Sequence, residues 1–325
     1  MIVTVTLNPS LDRTLTLNEP LTRGAVHRLT PVSTEPGGKG VNVSRALTQN
    51  GVESVALLPA ADHDPILSGL QARGVPFHNI DIPGAVRSNL TITENDGTTT
   101  KLNEPGAPLD DAAIAALTAA ISDHAARASW VVLSGSLPPG VPDRWYSDIV
   151  AHLAPLPCQV AVDTSEHPLT ALAEGFPIAA PDLIKPNSEE LAWLTGNSAQ
   201  ELETSAAHGN PLLVVSAARQ LITRGANTVL VTLGGAGAVL VDHAGAWVAS
   251  APAIVPRSTV GAGDASLAGY LAATTAGAPL AERLRTAVAY GSAAAALPGS
   301  ALPTPGQINV KAVRVQAVTS VTTPL

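Results

Sequence analysis

The sequence holds a single cysteine, Cys158, among 325 residues. One thiol cannot pair within the chain, so a disulfide framework is excluded. Cys158 sits in PCQVAVD, where a free cysteine behaves as a small buried hydrophobe on a strand. Aromatic residues make up only 3%, too few for the stacking platforms that hold single-stranded nucleic acid. No long Lys/Arg run occurs, and the formal net charge is −8. That disfavours a duplex-binding or anionic-membrane surface, so any phosphate ligand must be held by a local site against the overall field. No run of about 18 apolar residues could span a bilayer. MIVTVTLNPSLD lacks the basic and apolar regions of a signal peptide. The expectation is a cytoplasmic protein with neither nucleic acid nor a membrane as partner.

What the chain does have is a hydrophobic fraction of 46%, mostly Ala, Val and Leu, against 14% charged residues. That supports one large α/β domain or two ordinary ones. Ile2 to Leu7 reads as a buried strand, stopped by NPS. VNVSRALTQNG reads as a helix with a glycine stop, VESVALLPA as a strand, ILSGLQARG as a helix and PFHNI as a strand. From Asp110 onward, strands such as WVVLSG, CQVAVDTS and the pair in TVLVTLGGAGAVLVD alternate with helices. The alternation implies a mostly parallel sheet covered on both faces. Two stretches break the rhythm. DRTLTLN with AVHRLTPV, and SNLTITENDGTTTKLNEPG with its Asn95-Asp96-Gly97 turn signal, alternate polar and apolar residues. They predict a small separate sheet over the main body, with a hairpin from Asn89 to Asn103. INVKAVRVQAV near the end predicts an edge strand.

Ligands of open α/β sheets bind outside the carboxyl ends of strands, and several unusual loops fall there. In PGGKGVN, Gly37, Gly38 and Gly40 permit backbone angles and close approaches denied to other residues, and Lys39 adds a cation. The P-loop spacing fails because Gly40, not Ser or Thr, follows Lys39. A structural hinge is the plain alternative. In VGAGD, glycines open a helix whose free N–H groups and dipole favour an anion. Asp264 would repel a resting phosphate, unless it must take a proton from a hydroxyl attacking that group. The alternative is an N-cap. In KPNSEEL, Asn187 and Glu190 lie three apart on one helix face. They could hold hydrated magnesium; the alternative is a helix cap, Ser188 with the acidic residues of the first turn. The histidines show no metal-ligand spacing.

Taken together and in order, these segments resemble the ribokinase-like (PfkB) family of sugar kinases over essentially the whole length. GGKGVNVSRAL is similar to its first signature and STVGAGDASLAGYL to its second, with TVTLNPSLD, SGSLPPG, KPNSEEL and TLGGAGA at the stations between. The second signature usually has serine after its aspartate, where this chain has Ala265. Within the family, TLNPSLDRTL, Gly38-Lys39-Gly40 and TKLNEPG most resemble the branch that phosphorylates fructose 1-phosphate. The tagatose-6-phosphate and minor 6-phosphofructokinase branch is next.

The resemblance implies a three-layer α/β/α sandwich over residues 1–325, with a small β-sheet lid from about 12–36 and 87–105. It implies ATP and Mg2+ as cofactors and a homodimer joined through the lids. Gly261, Ala262, Gly263 and Asp264 become anion hole and base. Asp12, Gly38 and Asn42 match the sugar-hydroxyl positions, and Ser136 joins the substrate side. Lys39, Arg87 and Lys101 are the cations expected for the substrate's own phosphate, which a plain-sugar kinase would not need together. Lys185, Asn187, Thr232, Gly234, Gly237 and Ser292 fall on the nucleotide side, and Glu190 with Asn187 organises magnesium. A non-catalytic sugar-phosphate sensor would be expected to lose Asp264.

Overall fold

The structure, a computed structural model, describes residues 1–96 and 98–318. Gly97 of the expected turn and the end of the tail, 319–325, lie outside the described residues. In chain order, β1 (Ile2–Val5), β2 (Ser10–Thr16) and β3 (Thr30–Gly37) precede α1 (Lys39–Gln49), β4 (Ser54–Pro59), α2 (Pro65–Ala72) and β5 (Phe77–Ile80). Next come β6 (Arg87–Thr93), β7 (Thr99–Asn103), α3 (Asp111–Ala125), β8 (Trp130–Ser134), α4 (Trp145–Leu153), β9 (Gln159–Asp163) and α5 (Glu166–Glu174). The chain continues through β10 (Leu183–Ile184), α6 (Ser188–Thr195), α7 (Ala199–Ala207), α8 (Leu212–Arg224), β11 (Thr228–Thr232), β12 (Ala238–Asp242) and β13 (Ala246–Ser250). It ends in α9 (Ala262–Thr275), α10 (Leu280–Ala295) and β14 (Arg314–Ala317).

The main sheet runs β14-β13-β12-β11-β10-β9-β8-β1-β4-β5. Neighbours from β11 to β5 are parallel, and β12, β13 and β14 add antiparallel strands at one edge. Parallel strands must be covered on both faces, so their sequences read as near-continuous apolar runs. Val3, Val5, Val131 and Leu133 face α3, α4, α6 and α8 in one apolar layer. Ile2, Trp130, Val132, Leu230 and Leu240 face α1, α9 and α10 in the other. The expected α/β/α sandwich with a mostly parallel sheet is the observed architecture.

The small sheet has the order β3-β2-β6-β7. Two antiparallel hairpins, β2–β3 and β6–β7, join side by side through a parallel pairing of β2 with β6. Register gives it two unlike faces, because bridged partners share a face and successive residues alternate. Ser10, Asp12, Thr14, Arg87, Asn89, Thr91 and Lys101 share one face. Leu15, Val32, Leu90, Ile92 and Leu102 share the other. The expected strand in AVHRLTPV is displaced: β3 begins only at Thr30 and runs to Gly37, where it can pair with β2 down to Ser10.

Close packing at the β1 end fixes where α1 starts. A Cβ at Gly40 would stand 2.4 Å from Thr6 Oγ1 and 2.8 Å from the Val5 carbonyl oxygen. Gly40→Ala should therefore overpack this joint and cost about 1–3 kcal/mol, read as a lower denaturation midpoint. Adding Thr6→Ala should recover only part of the loss, because the Val5 carbonyl remains. An unchanged midpoint in the single variant would contradict the packing described.

Candidate active site

The carboxyl ends of the parallel strands gather a set of polar groups at one edge of the sheet. Asp163 closes β9 with no exposed side-chain surface. Its two oxygens face two ammonium groups, Lys39 Nζ at 2.8 Å and Lys185 Nζ at 3.0 Å. Burial opposes its charge, but Lys185 and Lys39 outweigh that and hold its carboxyl below the usual range. Lys39 is the first residue of α1, after Gly38 at φ 102°. Burial alone would depress its ammonium, yet Asp163, with Glu190 and Asp264 adding to it, holds it above the usual lysine range.

Asp264 lies in the first turn of α9 and is itself buried. Gly261 caps that helix at φ 76°, a left-handed conformation that glycine adopts without a Cβ penalty. The N–H of Ala262 is taken by the Thr259 carbonyl at 3.3 Å, while those of Gly263 and Asp264 have no backbone acceptor among the described residues. They belong to the unpaired donors of a helix start. A Cβ on Gly263 would stand 3.4 Å from Lys185 Nζ, so glycine lets this cation close on the helix mouth. Burial, then the neighbouring Asp163 charge, push the Asp264 carboxyl up to about 6. Lys39, the Asn42 amide at 2.9 Å and Lys185 pull the other way. The result is an anion-attracting helix start, flanked by two cations, with a carboxylate beside it that can take a proton near neutrality.

On the small-sheet side, Asp12 accepts hydrogen bonds from Ser10 Oγ at 2.8 Å and Asn89 Nδ2 at 3.0 Å. It lies directly against Gly37, where a Cβ would fall 2.3 Å from the carboxylate. Arg87 donates to the Glu104 carbonyl at 3.2 Å and leaves its buried Nε unpaired. Burial depresses its guanidinium, and Asp12 opposes that. Lys101 is exposed on the face that carries Asp12. Ser136 accepts from Asn8 Nδ2 at 3.2 Å. Of the three cations grouped from sequence, then, Arg87 neighbours Asp12 and Lys101 shares its face. Lys39 instead stands on Asp163 beside Lys185, its side chain passing Gly135 at the end of β8 to reach the end of β9.

On the opposite side, Asn187 and Glu190 form a reciprocal capping box on α6. Asn187 Oδ1 accepts from the Glu190 N–H at 2.8 Å, and Glu190 Oε2 accepts from the Asn187 N–H at 2.9 Å. The helix is thus capped, but by Asn187 and not by Ser188, whose hydroxyl donates to Glu203 instead. Burial raises the Glu190 carboxyl against the pull of Lys39. A cavity of about 310 Å³ opens on Glu166, Asn187 and Glu190, all oxygen donors suited to a hard cation. Among the described residues no cluster of three or more His, Cys, Asp or Glu is placed to hold a metal. A magnesium ion here would rest mainly on water and phosphate oxygens. Thr232 bridges to Asn187, and its N–H donates to the Pro186 carbonyl at 3.1 Å. Gly234 opens the short turn after Thr232, and Gly237 closes it at φ 101°. Ser292 follows Gly291, where α10 packs on Ser266 of α9.

Three further participants were not read from the sequence, although Asn8 lies in TVTLNPSLD and Arg45 in GGKGVNVSRAL. Asp163 ends an otherwise apolar strand, and a charged residue closing such a run was the signal available. Asn8 donates to both Ser136 and the Pro105 carbonyl, joining the strand ends to the exit of the small sheet. Arg45 stands buried behind Asn42.

Residues 5–306 match the family described as pfkB family carbohydrate kinase. The chain is 36% identical to a 1-phosphofructokinase of Rhodobacter capsulatus, over 94% of each chain. It is 36% identical to a 1-phosphofructokinase of Xanthomonas campestris pv. campestris, over 83% of each. The crystal structure of phosphofructokinase-2 from Escherichia coli in complex with substrates and products superposes with a TM-score of 0.85. That match has 30% identity and covers 94% of this chain and 96% of the other.

The electrostatics of Asp264 give a stability test that needs no substrate. Its folded value, about 6, lies above the ordinary 3.8. The folded chain therefore holds that proton more tightly than the unfolded chain. Stability from this group is greatest in acid and falls as pH rises through the interval between those values. Asp264→Asn should raise the melting temperature at neutral pH, and the gain should shrink in mildly acidic buffer. A variant less stable at neutral pH than in acid, relative to wild type, would refute the raised value.

Proposed function

The chain belongs to the pfkB family of carbohydrate kinases, and from that premise we propose that it transfers the γ-phosphoryl group of ATP to D-fructose 1-phosphate. The products are fructose 1,6-bisphosphate and ADP. Use of ATP to phosphorylate a sugar follows from the family. The choice of acceptor rests on the 1-phosphofructokinase relatives and on one observation, the half-buried Arg87 with an unpaired Nε beside Asp12. An acidic chain that keeps a half-buried guanidinium with an unpaired Nε at this point has the donor a sugar phosphate requires.

In the proposed mechanism Asp12 and Asn42 hold sugar hydroxyls, with the Gly38 backbone against them, and Ser136 extends this side. Arg87 and Lys101 hold the phosphate already on the sugar. Asp264 takes the proton from the attacking hydroxyl as its oxygen bonds to the γ-phosphorus and the bond to the bridging oxygen of ADP breaks. Charge on the equatorial oxygens is met by the helix start at 261–264 and by Lys185. We assign Lys39 to that group as well, because its ammonium shares Asp163 with Lys185. Thr232, Gly234, Gly237 and Ser292 line the nucleotide side with Asn187. Glu190 and Asn187 would hold magnesium through water, and the ion would neutralise charge on the ATP phosphates.

The small sheet serves in this reading as a lid of a single kinase domain, its polar face toward the sugar and its apolar face toward a second copy of the chain. Leu102 and Val32 on that second face are 53% and 41% exposed, and pairing two lids would cover them. Among the described residues no helix is long and apolar enough to cross a membrane, and we place the enzyme in the cytoplasm.

The likeness to E. coli phosphofructokinase-2, whose structure is also known in complex with fructose-6-phosphate, favours fructose 6-phosphate as the second reading, with tagatose 6-phosphate beside it. A coupled assay with ATP and each sugar phosphate decides between them. Fructose 1-phosphate should give the highest kcat/KM, and a reversed order would reassign the acceptor. Asp264→Asn should lower kcat about 10²–10⁴-fold, and a variant keeping a tenth of wild-type turnover would remove Asp264 as base.

Arg87→Met and Lys101→Met should raise KM for the sugar phosphate and leave KM for ATP near wild type. A rise in the ATP value alone would move them to the nucleotide side. Hydrogen exchange over 12–36 and 87–105 should slow with sugar phosphate more than with ATP. Exchange unchanged at saturating sugar phosphate would mean that the sheet is no lid.

A further inference from the structure

We propose that Arg45 is a positioning residue for this reaction: it fixes which end of the Asn42 amide faces Asp264, and Glu35 ties it to the lid strand β3. The proposal rests on the reading of Asp264 as the base.

Arg45 is only 7% exposed and every hydrogen bond it makes is directional. One terminal nitrogen donates to the Pro36 carbonyl at 2.8 Å and to Asn42 Oδ1 at 3.1 Å. The other donates to Glu35 Oε2 at 2.7 Å. An amide can present either its oxygen or its nitrogen to a neighbour, but a guanidinium has donors only. Arg45 can therefore accept nothing from Asn42 and must take the oxygen. The amide nitrogen is left facing Asp264 Oδ2, to which it donates at 2.9 Å. The reversed amide would set its oxygen against the carboxylate, an acceptor facing an acceptor.

The second half of the device is Glu35. Its Oε2 also receives Arg73 Nε at 2.8 Å. One carboxylate on β3 thus clamps α1 and the end of α2. Glu35 is bridged across the ladder to Asp12, which holds the sugar in the proposed site. The strand pair that carries the sugar ligand therefore also carries the anchor for the arginine that orients the base's partner. Burial depresses the guanidinium, and Glu35 opposes it. Arginine starts so far above neutrality that it stays charged.

Asp264 is faced by Asp163 from β9, by Lys185 after β10, and by Lys39, Asn42 and Arg45 from α1. Asp163 and burial favour its protonated form. The others favour the carboxylate, so removing Arg45 takes away both a nearby cation and the fixed amide donor. Arg73 remains on Glu35 when Arg45 is lost, which leaves that carboxylate paired.

The test is a carboxyl-carbon NMR titration of the full chain labelled at the aspartate side chain, without substrate. The Asp264 resonance is assigned by its loss in Asp264→Asn. In wild type it should titrate near 6, and in Arg45→Met about one unit higher. The acid limb of kcat should move by the same amount, and KM for ATP should stay unchanged. Arg45→Lys restores a cation without the planar fork and should fall between the two. It carries the test if Arg45→Met does not fold. An unshifted Asp264 in a folded Arg45 variant overturns the proposal. A shifted Asp264 in a chain that phosphorylates no sugar phosphate overturns the proposed function and leaves the Arg45–Asn42–Asp264 arrangement standing.

Discussion

A carboxylate sealed from water holds this site together. Asp163 alone at the end of β9 would be a costly buried charge, and it is tolerated because two lysines reach it from different elements. Such a bridge contributes little net stability, since desolvation consumes much of the attraction. What it fixes is geometry. α1 begins at Lys39, the loop after β10 passes at Lys185, and α9 opens where Gly263 leaves room for the Lys185 ammonium. Loss of Asp163 would leave the buried Lys185 and the part-buried Lys39 without their shared counter-ion at the mouth of α9.

The same cluster sets two aspartates to opposite tasks. Asp163 touches both cations and stays charged, a fixed counter-ion. Burial and the Asp163 charge lift the Asp264 carboxyl toward neutral pH, against the pull of Lys39, the Asn42 amide and Lys185. Separating two like groups in this way marks one as a scaffold and the other as an acceptor of protons.

Much of the fold was legible because its signals are local. Ile2–Val5, Trp130–Ser134 and Thr228–Thr232 are apolar runs of strand length, and the edge strand at Arg314–Ala317 shows plain alternation. α7 was not legible: Leu202 is its one buried residue, so it has no apolar stripe to betray a helix. The short β13 and α5 were missed as well, β13 being defined mainly by its neighbours β12 and β14. At the site, Gly38 and Gly261 could be read because their left-handed backbone is a demand of the segment itself. Asp163, Asn8 and Arg45 could not, since their roles exist only once distant segments meet. Lys39 shows the limit between the two: its loop was evident, and its partner lies 124 residues away.

The topology also bears on how the chain is made. β1 lies between β4 and β8, and Asp12 on β2 meets Asn89 across 77 residues. The strand that leaves the ribosome first thus waits through the longest stretch of chain for its second neighbour. At about 5–20 residues per second, β1 waits on the order of ten seconds before β8 is out. During that interval the nascent chain offers an apolar strand with one open edge, the kind of surface that holdase chaperones bind.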